Sequence, residues 1–272
     1  VKAVIVAFGR GLLSQFKPRM LLLTLVPVVM AAVVWVGLLW LGLQPSIDAI
    51  GRYFANNGGY AVSTHWLSMA GLTALKTIMV PLLAMWMFLP LMVVTALVFV
   101  GFIAMPAIVQ QIGAMHHPDL EKRRGGSYGG LVLTSLISFL IFIVLWIVTT
   151  PLCAFPVVGF AIQPLLWGWL TYRVIAYDVL RSYADADELR ELLRRHRWQL
   201  LVIGTITGLL GVVPSLLWLG GVMSVVLFPV FAVVAISLYV LVFTFSGLWF
   251  THFGLTAVRE LRGVNVALST AA

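Results

Sequence analysis

Long apolar runs separated by short charged clusters set the plan of this chain. No Asp, Glu, Lys or Arg occurs from Met20 to Ile47, Tyr53 to Leu75, Thr77 to Pro118, Gly125 to Tyr172 or Trp198 to Val258. A helix needs about 20 mostly apolar residues to cross a bilayer, and the last two runs each leave room for two passages. Spanning strands would be about 10 residues long and alternate in polarity. These runs do not alternate. The pattern predicts an all-α integral membrane protein with two long transmembrane helices and two proline-broken helical hairpins, either spanning or hemi-penetrating.

Residues 1–19 carry Lys2, Arg10, Lys17 and Arg19 and no acid. Val4, Phe8, Leu12 and Phe16 recur at helical spacing, which predicts an interfacial amphipathic helix. The first span follows over residues 20–43; its length sets it apart from a removable signal segment. Residues 44–65 hold Pro45, Asp48, Arg52 and the run Asn56-Asn57-Gly58-Gly59, the chemistry of turns. A long second helix is predicted over residues 66–110, kinked at Pro81, Pro90 and Pro106. Hairpin 1 occupies residues 131–172, broken at Pro151 and Pro156, and a cytoplasmic helix covers 173–197. There Glu191 and Arg195 stand at the spacing of an i,i+4 pair. Hairpin 2 fills 200–258, broken by Pro214, Gly220-Gly221 and Pro229. These parts form one helical membrane domain over residues 1–262, and 263–272 is expected to be a flexible tail.

Composition supports the pattern: 62% of the 272 residues are hydrophobic and 10% are charged, against about 25% charged in soluble domains. The net charge of +8 raises nucleic acid as a partner, but no basic domain stands apart from the spans. The basic residues instead cluster. Residues 1–19, 119–124, 173–197 and 259–262 hold all of the 17 Lys and Arg except Arg52 and Lys76. By the positive-inside rule these four clusters and both termini lie in the cytoplasm. The expected partners are membrane lipids and a second copy of the chain, meeting through one hairpin.

Little catalytic chemistry is visible. Cys153 is the only cysteine, which excludes an internal disulfide and a multi-cysteine metal site. No phosphate-binding glycine loop, HExxH or nucleophile elbow occurs, so no enzyme, cofactor or metal is expected. His116 and His117 precede Asp119 and Glu121, a set that reads as a metal site or, more simply, as a solvated loop. His65, His196 and His252 are scattered along the chain. Pro164 and Pro229 each fit the first position of a half-helix, whose positive end would face an anion near the midplane; ordinary kinks are the alternative. Arg19 at the membrane edge suits either an oxyanion or a lipid phosphate.

Four segments, taken in order, resemble the etoposide-induced-protein/CysZ-like family, whose bacterial members include sulfate permeases. They are AFGRGLLSQ before the first span, GFIAMPAIVQQIG ending the second, PVVGFAIQP in hairpin 1, and ELLRRHRWQLLVIG leading to VVP. The resemblance implies two long spanning helices and two hairpins entering from the cytoplasm. It also implies sulfate-like oxyanion transport across a bacterial inner membrane. A non-transporting scaffold or lipid-organising protein is the alternative. Family permeases carry a Gly-x-Arg-Arg-like turn before the first span. Here Lys17-Pro18-Arg19-Met20 stands in its place, so the resemblance assigns the anion to Arg19 with Lys17.

Overall fold

The computed structural model describes residues 2–56, 65, 76–123, 125–154, 156–214, 217 and 227–271, and none of these is in a strand. Among the described residues, four stretches are long and apolar enough to cross a membrane: Pro18–Tyr53, Val80–His116, Tyr128–Leu152 and Val230–Gly263. The protein is an all-α, multi-pass membrane protein.

The first helix, α1 (Lys2–Gln15), buries Val4, Ala7, Gly11 and Ser14. The predicted stripe is therefore only partly the buried one: Leu12 and Phe16 face outward, while Phe8 meets the Phe245 and Trp249 rings edge-on. Small residues won the packed face because they admit a close neighbour. A Cβ on Gly11 would lie 3.4 Å from the backbone of Trp249. The Trp249 indole N–H donates to the Val4 carbonyl at 3.0 Å.

Helix α2 (Pro18–Asn56) begins with proline at its first position, where the missing N–H costs nothing. It passes through residues 44–56, where turns were predicted. The continuation rests on local bonds. Gln44 Nε2 donates to Asp48 Oδ1 at 3.1 Å, Ser46 Oγ to the Gly42 carbonyl at 2.8 Å, and Arg52 Nε to the Asp48 carbonyl at 3.3 Å. At 1.5 Å per residue α2 is roughly 58 Å long, so its far end stands clear of a ~30 Å hydrocarbon layer.

The second long helix is α3 (Lys76–Phe99), a π-helical segment Val100–Ala104, and α4 (Met105–His116). Residues 66–75 of the predicted span lie outside the described residues. Pro106 removes one backbone donor, and the ladder widens just before it: the Met105 N–H bonds the Val100 carbonyl.

In hairpin 1, α5 (Tyr128–Thr149) is N-capped by the Ser127 side chain. A 3-10 turn (Thr150–Ala154) leads into α6 (Pro156–Leu180). Helix α6 thus takes the first eight residues of the stretch that was expected to be a separate cytoplasmic helix. That helix is only α7 (Ala186–Arg195), opened by a capping box between Asp185 and Glu188. The predicted Glu191–Arg195 pair is replaced by Glu191 with Arg194 at 2.9 Å and Asp187 with Arg190 at 3.1 Å. Both are i,i+3 pairs, which share a helix face as well as i,i+4 pairs do.

Hairpin 2 starts with α8 (Arg197–Leu210) and returns through α9 (Phe228–Ala271). At roughly 21 Å, α8 is shorter than the hydrocarbon layer. Residues 215–216 and 218–226, including Gly220-Gly221, lie outside the described residues. Helix α9 continues through the predicted tail to Ala271. Its only helix breaker there is Gly263, and a single glycine costs only ~1 kcal/mol. Helix α9 is central, touching α1, α2, α3, α4, α6, α7 and α8. Its Leu248, Trp249, Phe250 and Leu255 pack with Met105, Ile108 and Ile112 of α4.

Candidate functional site

A basic, histidine-lined chamber forms where α1, the α1–α2 elbow, the end of α4, the start of α8 and the late part of α9 converge. The elbow is short. The Lys17 N–H bonds the Ser14 carbonyl at 3.1 Å, and the Lys17 carbonyl accepts from Met20 and Leu21 at 2.9 and 3.0 Å. Lys17 and Arg19 are exposed on either side of Pro18. The first turn of α2 carries the positive end of the helix dipole, so backbone and side chains there both favour an anion.

Behind the elbow, Ser14 Oγ lies 3.0 Å from His252 Nε2. The His252 ring meets His116 edge-on, with centroids 5.1 Å apart at 82°. His252 is 1% exposed and His117 is 7% exposed, and neither ring nitrogen of His117 has a hydrogen-bond partner. Arg10 acts electrostatically on all three rings, Lys17 on His116 and His252, and Arg259 on His117. None of these three cations makes an ion pair among the described residues. A cavity of about 350 Å³ adjoins, lined by Lys2, Arg10, His196, Gln199, His252 and Glu260 among others. His196 is held by Gln199 at 3.3 Å and by the Phe253 ring.

The structure revises the reading of the histidines. His116 is exposed at the end of α4, but His117 is buried, so the solvated-loop reading fails for His117. His252, distant in sequence, joins them. Among the described residues no group of three His, Cys, Asp or Glu is placed to hold a metal. Surplus positive charge, with only Glu260 of the acids on the cavity wall, suits the chamber to an anion.

The two proline candidates stand elsewhere. Pro164 lies inside α6, which Pro156 opens instead. Continuing the helix through Pro164 forfeits one backbone bond, fewer than a full break would leave open where lipid offers no partner. Pro229 is the second residue of α9, inside its first turn. It is 23 residues, roughly 35 Å of helix, from His252. The structure joins neither proline to Lys17 and Arg19.

Two ionic clusters stand apart from the cavity lining. Glu188 accepts from Arg123 Nη1 and Arg262 Nε at 3.0 Å each, and Arg262 also bonds the Tyr183 and Glu121 carbonyls. Asp178 and Arg181 form a buried pair at 2.8 Å, with the guanidinium 3.9 Å over the Tyr128 ring.

Taken together, these features define a multi-pass helical membrane protein with a basic, histidine-lined chamber at the end of its bundle where its basic clusters gather. A family model described as Sulfate transporter CysZ/Etoposide-induced protein 2.4 matches residues 7–220, and the chain belongs to that family. The match takes in α1 through α8 and ends before α9, which supplies His252. No individual curated protein and no solved structure gave a match.

Proposed function

We propose that the protein is a permease or channel for small oxyanions of the sulfate kind, set in a bacterial inner membrane with both termini in the cytoplasm. It is a transporter and no enzyme. The observation that carries the reading is the elbow: Lys17 and Arg19, both exposed, flank the start of α2 in front of the acid-poor chamber. An anion arriving there meets a guanidinium fork, an ammonium and the positive end of the α2 dipole before it meets lipid.

Two measurements test this. Arg19→Ala removes a charge-assisted contact worth about 1.5–3 kcal/mol, so oxyanion affinity should fall about tenfold or more. Arg19→Lys should recover only part of the loss, since an ammonium lacks the bidentate fork. Oligomeric size and expression should stay at parental levels in both. Parental binding by both variants would reassign Arg19 to lipid anchoring. For orientation, reporters fused after Arg124, Arg197 and Arg262 should register the cytoplasm, and one at Asn57 the opposite side. An exported signal at Arg197 would refute the arrangement.

A further inference from the structure

The cavity beside His252 is a different place from the elbow. Its wall comes from α1, the start of α8 and the late part of α9, and neither Lys17 nor Arg19 is part of it. The neutral polar groups of that wall have partners within the protein. Thr256 Oγ1 donates to the His252 carbonyl at 2.8 Å, His196 Nδ1 lies 3.3 Å from Gln199 Oε1, and His252 Nε2 lies 3.0 Å from Ser14 Oγ. The charged groups differ. Lys2 and Arg10 from α1 and Glu260 from α9 line the same space and are exposed. None of the three makes an ion pair among the described residues.

Opposite charges that face one cavity without closing on each other leave it two kinds of contact to offer. The Arg10 guanidinium presents a fork to an oxyanion, and Lys2 adds a second positive charge. The Glu260 carboxylate only accepts, so it opposes an anion and pairs with an ammonium. The apolar part of the wall includes Ala7, Phe253 and Ala257, all buried, which suits a short carbon linker. At about 350 Å³ the space is at the small end for a ligand pocket. Net charge narrows the ligand further. The wall sets two cations against one carboxylate, so a ligand of about one net negative charge balances it. A phosphate monoester carries about −1.5 to −2 near pH 7, and an ammonium on the same molecule offsets part of that.

We propose that this cavity is a second binding site, for a small zwitterion that joins a phosphate to a protonated amine, with phosphoethanolamine the simplest case. The phosphate sits on Arg10 and Lys2, and the ammonium on Glu260. The same group occurs free in solution or as the head of an ethanolamine phospholipid. Helix α1 exposes Ile5, Leu13 and Phe16, a face suited to the acyl boundary, so either source has access. The site goes beyond the permease reading and does not depend on it.

Binding of radiolabelled O-phosphoethanolamine to the full chain in detergent, near neutral pH, tests the proposal. Inorganic phosphate and ethanolamine each keep one half of the compound and lose one charge-assisted contact. Each should therefore displace it at least about tenfold less well than the unlabelled compound. Glu260→Gln should weaken phosphoethanolamine about tenfold and leave inorganic phosphate no poorer a competitor, whereas Arg10→Gln should weaken both. Both positions are exposed, so neither substitution threatens the fold. Arg19 lies outside the cavity, and Arg19→Ala should keep parental affinity for phosphoethanolamine. No binding, displacement by phosphate as strong as by the whole compound, or parental affinity in both cavity variants overturns the proposal. So does a loss in Arg19→Ala that matches the loss in Arg10→Gln, which would put the compound at the elbow. Short-chain phosphatidylethanolamine separates the two sources. Displacement that depends on Glu260 supports the site with a lipid headgroup as occupant, and failure to displace supports it with the free compound.

Discussion

Replacing Glu188 with alanine should lower the stability of the folded protein by about 3 kcal/mol, the low end for breaking a buried ion pair. The side chain of Glu188 is 8% exposed and that of Arg262 15%, while Arg123 at 44% still reaches water. Alanine leaves Arg262 without its acid and removes the carboxylate that accepts the Asp185 N–H at 3.0 Å, so the start of α7 loses half its capping box. Arg262→Lys should cost less, keeping the charge but losing the fork that spans Glu188 and two carbonyls. The pH dependence has a definite sign. Burial raises the Glu188 pKa, but hydrogen bonds from Arg262 and the Asp185 N–H outweigh it and hold the carboxyl below its ordinary 4.5. Stability from this group is thus complete above that value and is lost as pH falls through the lower folded value. In thermal unfolding, the parent's advantage over Glu188→Gln should be constant above about pH 5 and shrink below pH 4.5. An advantage that persists at lower pH would contradict the assignment.

Gly168→Ala should separate α6 from α8, and Gly204→Ala should do the same from the other side. A Cβ on Gly168 would lie 2.5 Å from Thr205 Cα and 2.6 Å from its nitrogen, and one on Gly204 would strike the Gly168 carbonyl oxygen. Backbone cannot rotate away as a side-chain tip can. The expected cost is therefore at or above the usual 1–3 kcal/mol of overpacking. Both substitutions jam one interface, so the double variant should cost less than the sum of the singles. Gly37→Ala is the control. Nothing lies within 4 Å of a Cβ there, and alanine favours a helix over glycine by about 1 kcal/mol. Monodisperse yield and unfolding temperature in detergent should rank the control at or above the parent and both interface variants well below it. Interface variants as stable as the control would refute this packing.

The parts of the architecture that lipid enforces were legible from residue order. Bilayer thickness sets the length of an uncharged run, and α3 with α4 follows its run closely, while α2 and hairpin 1 cover theirs and run on past them. Helix ends were less legible, because they depend on local bonds that composition does not reveal. Turn residues fill 44–56, yet Gln44, Ser46 and Arg52 bond along the helix and carry it on. Likewise Pro156, and not Pro164, opens α6. Lys17 and Arg19 stand out in the sequence because charge at a membrane edge is conspicuous by itself. The chamber behind them does not. Ser14 and His252 are 238 positions apart, and single histidines in apolar stretches carry no local signature. Only the docking of α1 across α9, through Ala7, Gly11 and Ser14, makes them neighbours.

The measurement that tests the account most directly is uptake of radiolabelled oxyanions into proteoliposomes holding the full chain. Sulfate and phosphate should be run side by side against protein-free vesicles. The account predicts saturable uptake above the protein-free rate for at least one of the two, reduced by Arg19→Ala in parallel with binding. Uptake at the protein-free rate for every oxyanion, from protein that is monodisperse and correctly inserted, would contradict it. That outcome would favour a membrane scaffold that carries nothing across.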